Sequence, residues 1–315
     1  MNVSDKRARP AAPVQWLHSR PVNHTTMPAP TPVIPAMPAT RLIAPRLSLA
    51  SCVRTYIARN TVDTPLHDPA QRLNRFPASA LCSLTFFIEG CAEVVEPAAL
   101  ASGPLAPALF VGPQTRPAVS YNPGAVRAFM VIFYPQAIQA LSGIDLIACV
   151  DGWFPLADVL DPEWDAMAQA VLGAPDDAAR VAIVEQFLDP RWQQLRAHDS
   201  SQPGAVGDWV RRLAAQAAAA GWGHGVRNVE RRIKAWAGQP MRTLRRMHRA
   251  EQSFLDARDG IEEGKVSWAD VAARGGYSDQ AHFCREAREI TGHSPTELAR
   301  VSRDDESYWV YRVWS

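Results

Sequence analysis

The chain has 315 residues, with 47% hydrophobic residues, 21% charged residues and a formal net charge of +1. These values are typical of a folded protein with a sizeable core, and the length suggests two domains. A membrane-spanning helix is not expected, because no run of apolar residues approaches the ~18 that a transmembrane helix needs.

The near-neutral total hides a difference between the two ends of the chain. Residues 204–300 contain 16 Lys and Arg against 12 Asp and Glu, whereas residues 1–203 contain 15 against 17. A basic excess is typical of a region that meets phosphate, so the C-terminal part is the candidate for a nucleic-acid contact. The excess is modest and does not by itself indicate DNA.

Five cysteines bear on the compartment and on metal binding. Their number is odd, no two have Cys-x-x-Cys spacing, and neighbours are at least nine positions apart. This pattern disfavours a disulfide framework and a zinc site. The N-terminus also lacks the apolar core of a signal peptide. We therefore expect a cytoplasmic protein without a metal or another cofactor.

The N-terminal two thirds divide into a tail and a β-rich domain. Residues 1–40 contain eight prolines, which predicts a disordered or polyproline-like tail. Short apolar runs at 80–89, 91–95, 108–111 and 126–134 indicate strands, while 136–141, 161–172 and 176–188 have helical patterns. Residues 41–200 are thus predicted to form a small mixed β-barrel or curled sheet with helices, followed by a linker at 199–207.

Residues 209–237 have the plan of a helix-turn-helix unit. The run 209–220 consists of strong helix formers, three glycines follow within 221–225, and a second helix at 227–237 stops at Gly238. Val229, Ile233 and Trp236 form the buried stripe of that second helix. Its opposite side carries Arg227, Asn228, Arg231 and Lys234. A solvated cationic face has the same pattern, so this unit alone is ambiguous.

A second and clearer unit occupies residues 266–300. Gly275 and Gly276 form the turn, Ser278 and Asp279 cap the next helix, and Gly292 ends it. The helix at 280–291 buries Phe283 and Ile290, and its solvent side carries Gln280, His282, Arg285 and Arg288. Gly238 and Gly292 are 54 residues apart, so the two units form an internal duplication joined by a basic helix at 241–256.

The signature of the second unit resembles that of the AraC family of bacterial transcription regulators. It is the run Gly276-Tyr277-Ser278-Asp279-Gln280-Ala281-His282-Phe283-Cys284-Arg285, continued by Gly292 and Ser294-Pro295. Two positions depart from the family pattern, because Ile233 and Ala287 stand where core aromatic residues are usual. The resemblance implies an α+β chain whose C-terminal domain, residues 204–301, is an all-α double helix-turn-helix domain.

The resemblance also implies sequence-specific binding of double-stranded DNA, with two recognition helices in successive major-groove segments about 34 Å apart. Arginine pairs bidentately with guanine, and the expected base-reading residues are Arg227, Arg231, Gln280 and Arg285. Asn228 is expected on adenine or phosphate, and His282 on the DNA backbone. The residues expected on phosphate or in solvent are Lys234, Arg245, Arg246 and Arg249. RNA polymerase and a second copy of the chain are further possible partners of such a regulator, and the sequence does not reveal whether it activates or represses.

Outside this domain, the segments 75–79 and 111–117 and the strand before Pro135 resemble the sensor domain of one subgroup of these regulators. This implies a small-molecule effector without naming it. Phe87, Phe133 and Trp153 are expected in the core of that domain rather than in a pocket. The aromatic tail at 302–315 is expected to dock, either on its own domain or on the sensor domain or a second subunit.

Two other classes of function stay open. A ligand-binding or protein-interaction regulator that has lost DNA binding fits the same sequence, with Ile233 and Ala287 as the weak points of its helical domain. An enzyme like the DNA-repair methyltransferase of some AraC-like chains needs a cysteine in a Pro-Cys-His-Arg setting, which none of the five has. The sequence also lacks a P-loop, a Gly-x-Ser-x-Gly and a His-Glu-x-x-His motif, so we expect no enzyme.

Overall fold

The computed structural model describes residues 39–97, 103–197, 209–219 and 226–314. The tail predicted at 1–40 lies outside the described residues except for its last two, and so does the linker predicted at 199–207. We name residues 39–197 the sheet region, residues 209–304 the helical region and residues 305–314 the C-terminal segment. All three belong to one compact unit, Met37–Ser315.

The sheet region contains two antiparallel sheets. Their strands are β1 (Ala39–Ile43), β2 (Val53–Asn60), β3 (Leu73–Phe76), β4 (Cys82–Glu89), β5 (Glu93–Glu96), β6 (Ala108–Val111), β7 (Ala118–Tyr121), β8 (Arg127–Phe133) and β9 (Trp153–Pro155). Six strands form one sheet in the order β1-β2-β8-β4-β6-β9, and three form the other in the order β3-β7-β5. The predicted curled sheet with helices is therefore confirmed, while β1, β2, β3, β7 and β9 were not predicted.

Strand β8 lies in the middle of the six-stranded sheet and is buried on both faces. Phe129, Val131 and Phe133 point into the main core, which the helices cover. Ala128, Met130 and Ile132 alternate with them and belong to a second apolar cluster on the other face. Side chains alternate across a strand, so an unbroken apolar run is the sequence of a strand with two covered faces. The second face of the sheet consequently needs a cover of its own.

Four helices complete the sheet region, namely α1 (Pro135–Ser142), α2 (Leu156–Val159), α3 (Pro162–Leu172) and α4 (Asp177–Ala197). Proline at the first position of α1 and α3 fits there because that position has no intrahelical N–H partner. Helix α4 continues past the predicted end at residue 188 and holds Pro190 inside it. Among the described residues, no helix is both long and apolar enough to cross a membrane.

The rest of the chain is helical. The helices are α5 (Trp209–Ala219), α6 (Val226–Ala237), α7 (Met241–Glu262), α8 (Trp268–Arg274), α9 (Gln280–Thr291), α10 (Pro295–Asp304) and α11 (Trp309–Trp314). Helix α7 is six residues longer than the helix predicted at 241–256. The predicted all-α C-terminal domain is confirmed for the described residues of this region.

The helical region shares the main core of the sheet region. Ile233, Leu244 and Met247 lie in the same buried cluster as Val131 and Phe133. The ring of Trp209, at the start of α5, lies 5.9 Å from the ring of Tyr134 at the end of β8. The first helix-turn-helix unit and the linking helix α7 thus share the core of the sheet region, and α5 contacts the end of β8 directly.

Candidate nucleic-acid interface and an adjoining cavity

Helices α8 and α9 form the second helix-turn-helix unit. A side-chain hydrogen bond fixes the start of α9, and a glycine fixes its end. The carboxylate of Asp279 accepts a hydrogen bond from the backbone N–H of His282 at 2.6 Å, which is the N-cap predicted from the sequence. This hydrogen bond holds the pKa of Asp279 below its usual value. Gly292 ends the helix with φ 82°, a conformation that favours glycine.

The two faces of α9 are clearly separated. Phe283, Ala287 and Ile290 are buried, whereas Gln280, Arg285 and Arg288 are exposed. His282 is half-buried between them, where its Nδ1 lies 3.2 Å from the hydroxyl of Ser278 and its ring contacts Tyr277. The exposed face of α9 therefore carries two of the expected base-reading side chains, Gln280 and Arg285.

A buried carboxylate lies next to the position of the missing core aromatic. Ala287 is fully buried, and the adjacent Glu286 is buried as well, with 5% of its surface exposed. Its carboxylate accepts from the Arg249 guanidinium at 2.7 Å and from the Tyr277 hydroxyl at 2.8 Å. The guanidinium of Arg249 also lies over the Tyr277 ring, 4.1 Å from its centroid. Burial, followed by the neighbouring Glu286, raises the pKa of Tyr277.

These contacts correct the prediction for one basic residue of α7. Arg249 joins α7 to α9 through the buried Glu286, so it is not the freely solvated or phosphate-contacting side chain that the sequence indicated. The Arg246 guanidinium pairs with Glu289 at 2.7 Å, but this pair is exposed to solvent. Arg245 is exposed.

Helix α6 is the corresponding helix of the first unit. Ile233 and Ala237 are buried, and Val229 and Trp236 pack against the same core. Arg227, Arg231 and Lys234 are exposed, as is the acidic Glu230, while Asn228 is half-buried. Arg232 donates to the carbonyl of Ala217 at 3.3 Å and lies over the Trp236 ring, so it ties α6 to α5. The glycine-containing turn predicted at 221–225 lies outside the described residues.

Both units contact the sheet region at the ends of their recognition helices. The carbonyl of Ile290 in α9 accepts from the N–H of Ala78 at 2.7 Å. After α6, Gly238 has φ 72°, and a Cβ there would lie 2.8 Å from the Leu146 carbonyl oxygen and 3.3 Å from Pro113. Only glycine fits this approach without displacing its neighbours.

Ala78 and Pro113 belong to the segments 75–79 and 111–117, whose sequence resembled a sensor domain, whereas Leu146 lies outside them. The backbones of Ser79 and Gln114 exchange hydrogen bonds of 2.9 Å and 2.7 Å, so the two loops are joined to each other. This loop pair therefore contacts the end of α9 directly and lies beside the end of α6, where Leu146 makes the closest approach. Its contact role was not predicted, because the partner residues are far away in the sequence.

A cavity of about 570 Å³ lies on the second face of the six-stranded sheet. The sheet side contributes Ile57, Ala128, Met130, Ile132, Phe87 and Trp153, and the opposite side contributes Met247, His248, Glu251, Phe254, Leu255, Trp309 and Val310. The loop pair also lines it, through Ala78, Ser79 and Gln114. Phe133 is in the core as predicted, but Phe87 and Trp153 border this cavity instead.

The C-terminal segment docks on the sheet region. Trp309 and Val310 belong to the apolar cluster on the second sheet face, and the indole N–H of Trp309 donates to the Asn74 side-chain oxygen at 2.9 Å. The tail was expected to dock either on its own domain or on the sensor domain or a second subunit. In the structure it docks mainly on the sheet region.

Two helix pairs, α5–α6 and α8–α9, define the class of this helical region, a double helix-turn-helix domain. The second helix of each pair carries exposed arginines, and α9 is capped at both ends. Residues 217–300 match the family model described as "Helix-turn-helix domain". The AraC-type resemblance predicted from the sequence is thereby confirmed for this part of the chain. No curated protein matches the chain.

Among solved structures, the chain is similar to ToxT from Vibrio cholerae. One ToxT structure (P21 form) shares 10% identity over 72% of this chain and 96% of that chain, with a TM-score of 0.32. A structure of ToxT from Vibrio cholerae O395 shares 10% identity over 73% and 96%, with a TM-score of 0.33. Likenesses of this size transfer neither a ligand nor a function to the present chain.

We expect Glu286→Ala to lower the free energy of unfolding by about 2–4 kcal/mol, because it leaves Arg249 and the Tyr277 hydroxyl without their shared acceptor. The matched control is Glu289→Ala, which removes an exposed ion pair and is expected to cost about 0–1 kcal/mol. Urea denaturation of both variants measures the difference. Equal losses for the two glutamates would contradict the structural role given to Glu286.

Proposed function

We propose that the protein is a sequence-specific DNA-binding regulator of transcription that responds to a small-molecule effector. The observation that carries the proposal is α9, a capped recognition helix in a matched helix-turn-helix domain, with Gln280 and Arg285 on its exposed face. The proposal keeps the domain limits expected from the sequence, a sensor domain at 41–200, a DNA-binding domain at 204–301 and a tail at 302–315.

In this proposal the exposed arginines of the two recognition helices read base edges. Arg227 and Arg231 on α6 and Arg285 on α9 are exposed and free of the core, as a side chain that enters a major groove must be. Gln280 at the start of α9 is the fourth base reader. The half-buried positions of Asn228 and His282 suit contacts to the DNA backbone, which fix the register and orientation of the helices.

The electrostatic part of binding is assigned to residues that stay exposed. Lys234 and Arg245 are exposed on α6 and α7 and suit phosphate contacts. Arg249 is withdrawn from this role, since it is paired with the buried Glu286 of α9. Arg246 keeps it, since its partner Glu289 is exposed. RNA polymerase, a second copy of the chain and a cytoplasmic location stay predictions from the sequence.

We expect Arg285→Ala to weaken binding to a duplex that the protein selects from a random pool by about 1–3 kcal/mol, while weak binding to random duplexes stays nearly unchanged. The matched control is Arg116→Ala, an exposed arginine of the sheet region, which should bind like the wild type. Fluorescence anisotropy at several salt concentrations measures both affinities.

Three results would contradict this assignment. Equal losses on selected and random duplexes would remove the base-reading role of Arg285. Affinity that does not fall as salt rises would remove the phosphate contacts. No binding to any duplex at low salt would favour a regulator that acts through protein contacts alone.

The effector site proposed here is the cavity on the second face of the sheet. Its volume of about 570 Å³ falls within the ~300–1,000 Å³ typical of small-molecule sites. The lining is mostly apolar by area, and polar and charged side chains also border it, among them Gln114, His248 and Arg258. An apolar lining with polar groups that orient a ligand is the usual composition of such sites. A molecule bound there would touch the sheet, the loop pair and α7, and α7 joins the two helix-turn-helix units.

We expect Ala128→Phe to reduce the binding of anilinonaphthalene sulfonate, an anionic dye that binds apolar sites, because the larger side chain of β8 fills the cavity. The control is Ala273→Phe, the same replacement at an exposed position of α8, which should leave dye binding unchanged. Dye fluorescence at equal protein concentration measures the effect, and circular dichroism checks that both variants fold. Dye binding that is unaffected by Ala128→Phe would contradict a ligand site in this cavity.

A further inference from the structure

The C-terminal segment reaches the sheet region through a buried group of charges. The guanidinium of Arg59 on β2 lies 2.8 Å from the carboxylate of Glu306, and the two side chains are 3% and 7% exposed. The other oxygen of Glu306 pairs with Arg312. A charge that loses its partner at such a depth is strongly destabilising, so these three residues favour one arrangement of the segment.

Aromatic side chains add to this contact on both sides of the charged group. The Trp309 ring lies under the Arg59 guanidinium, 4.7 Å from its centroid. The Tyr308 ring lies under the guanidinium of Arg75, with 5.4 Å to its centroid. Such pairs are stabilising, and more strongly so where they are shielded from water. The segment is therefore bound to β2 and β3 by both charge and packing.

The same segment is also tied to the second helix-turn-helix unit. Arg312 donates to the carbonyl of Ser302 in α10 at 3.0 Å. The Tyr308 hydroxyl lies 2.8 Å from Nε2 of His293, just after α9. The segment thus has one side on the sheet and the other on the helices that follow the recognition helix.

We propose that the C-terminal segment is a strap that positions the second helix-turn-helix unit on the sheet region for binding to DNA. This inference rests on the proposed function and adds a role for residues outside the matched domain. The docked strap leaves Gln280 and Arg285 exposed, so docking and DNA contact are compatible. The strap lowers the cost of ordering α9 relative to α6, which is the benefit of a preorganised binding surface.

The test uses the full-length chain with Glu306→Gln and Trp309→Phe as strap variants. The first weakens both ion pairs of the carboxylate, and the second keeps an aromatic ring but removes the donor to Asn74. Asp304→Asn is the matched control, because Asp304 is an exposed carboxylate two positions away. Hydrogen–deuterium exchange of residues 305–314 measures strap docking, and anisotropy measures affinity for a duplex selected by the wild type.

In both strap variants we expect faster exchange in residues 305–314 and a duplex affinity about tenfold lower than in the wild type, a typical coupling between sites. The Asp304→Asn control is expected to match the wild type in both measurements. Faster exchange with unchanged or tighter duplex binding would overturn the positioning role. Unchanged exchange in both variants would contradict the claim that Glu306 and Trp309 hold the segment on the sheet region. A wild type that selects no duplex would refute the proposed function, while its exchange data would still test docking.

Discussion

The structure depends on one constraint, the burial of strand β8 on both of its faces. Phe129, Val131 and Phe133 need a cover on one side, and Ala128, Met130 and Ile132 need another on the opposite side. The first cover comes from helices of both regions, which share the main core. The second comes from the last residues of the chain, with Trp309 and Val310 in the cluster. The sheet region consequently folds against sequence that lies at the far end of the protein.

Because of this constraint, the two recognition helices and the cavity are connected through shared contacts. The loop pair contacts the end of α9 at Ile290 and lies beside the end of α6 at Gly238. Helix α7 joins the two units, lines the cavity and holds α9 through Arg249 and Glu286. A molecule in the cavity would therefore change contacts that both recognition helices share. A bound ligand shifts such an arrangement only by its difference in affinity between two states of the protein.

The predictable part of the fold was the part set by local sequence. Three features depend only on residues within one helical turn, namely the caps at Asp279 and Gly292 and the turn glycine Gly276, with φ 72°. The local sequence was therefore enough to predict them. The short strands β3, β7 and β9 have weak patterns, because their pairing depends on partners elsewhere. Arg249 looked like a surface cation, and only the fold brings Glu286 and Tyr277 to it. Trp309 and Asn74 are 235 positions apart, which no local pattern can connect.

In the proposed function, a single chain reads two patches of DNA with α6 and α9. Hydroxyl-radical footprinting of the wild-type protein on a duplex that it has selected tests this two-patch contact. We expect two protected patches on one face of the duplex, about 34 Å apart, as two adjacent major-groove segments require. A footprint confined to one patch, or two patches on opposite faces, would contradict it.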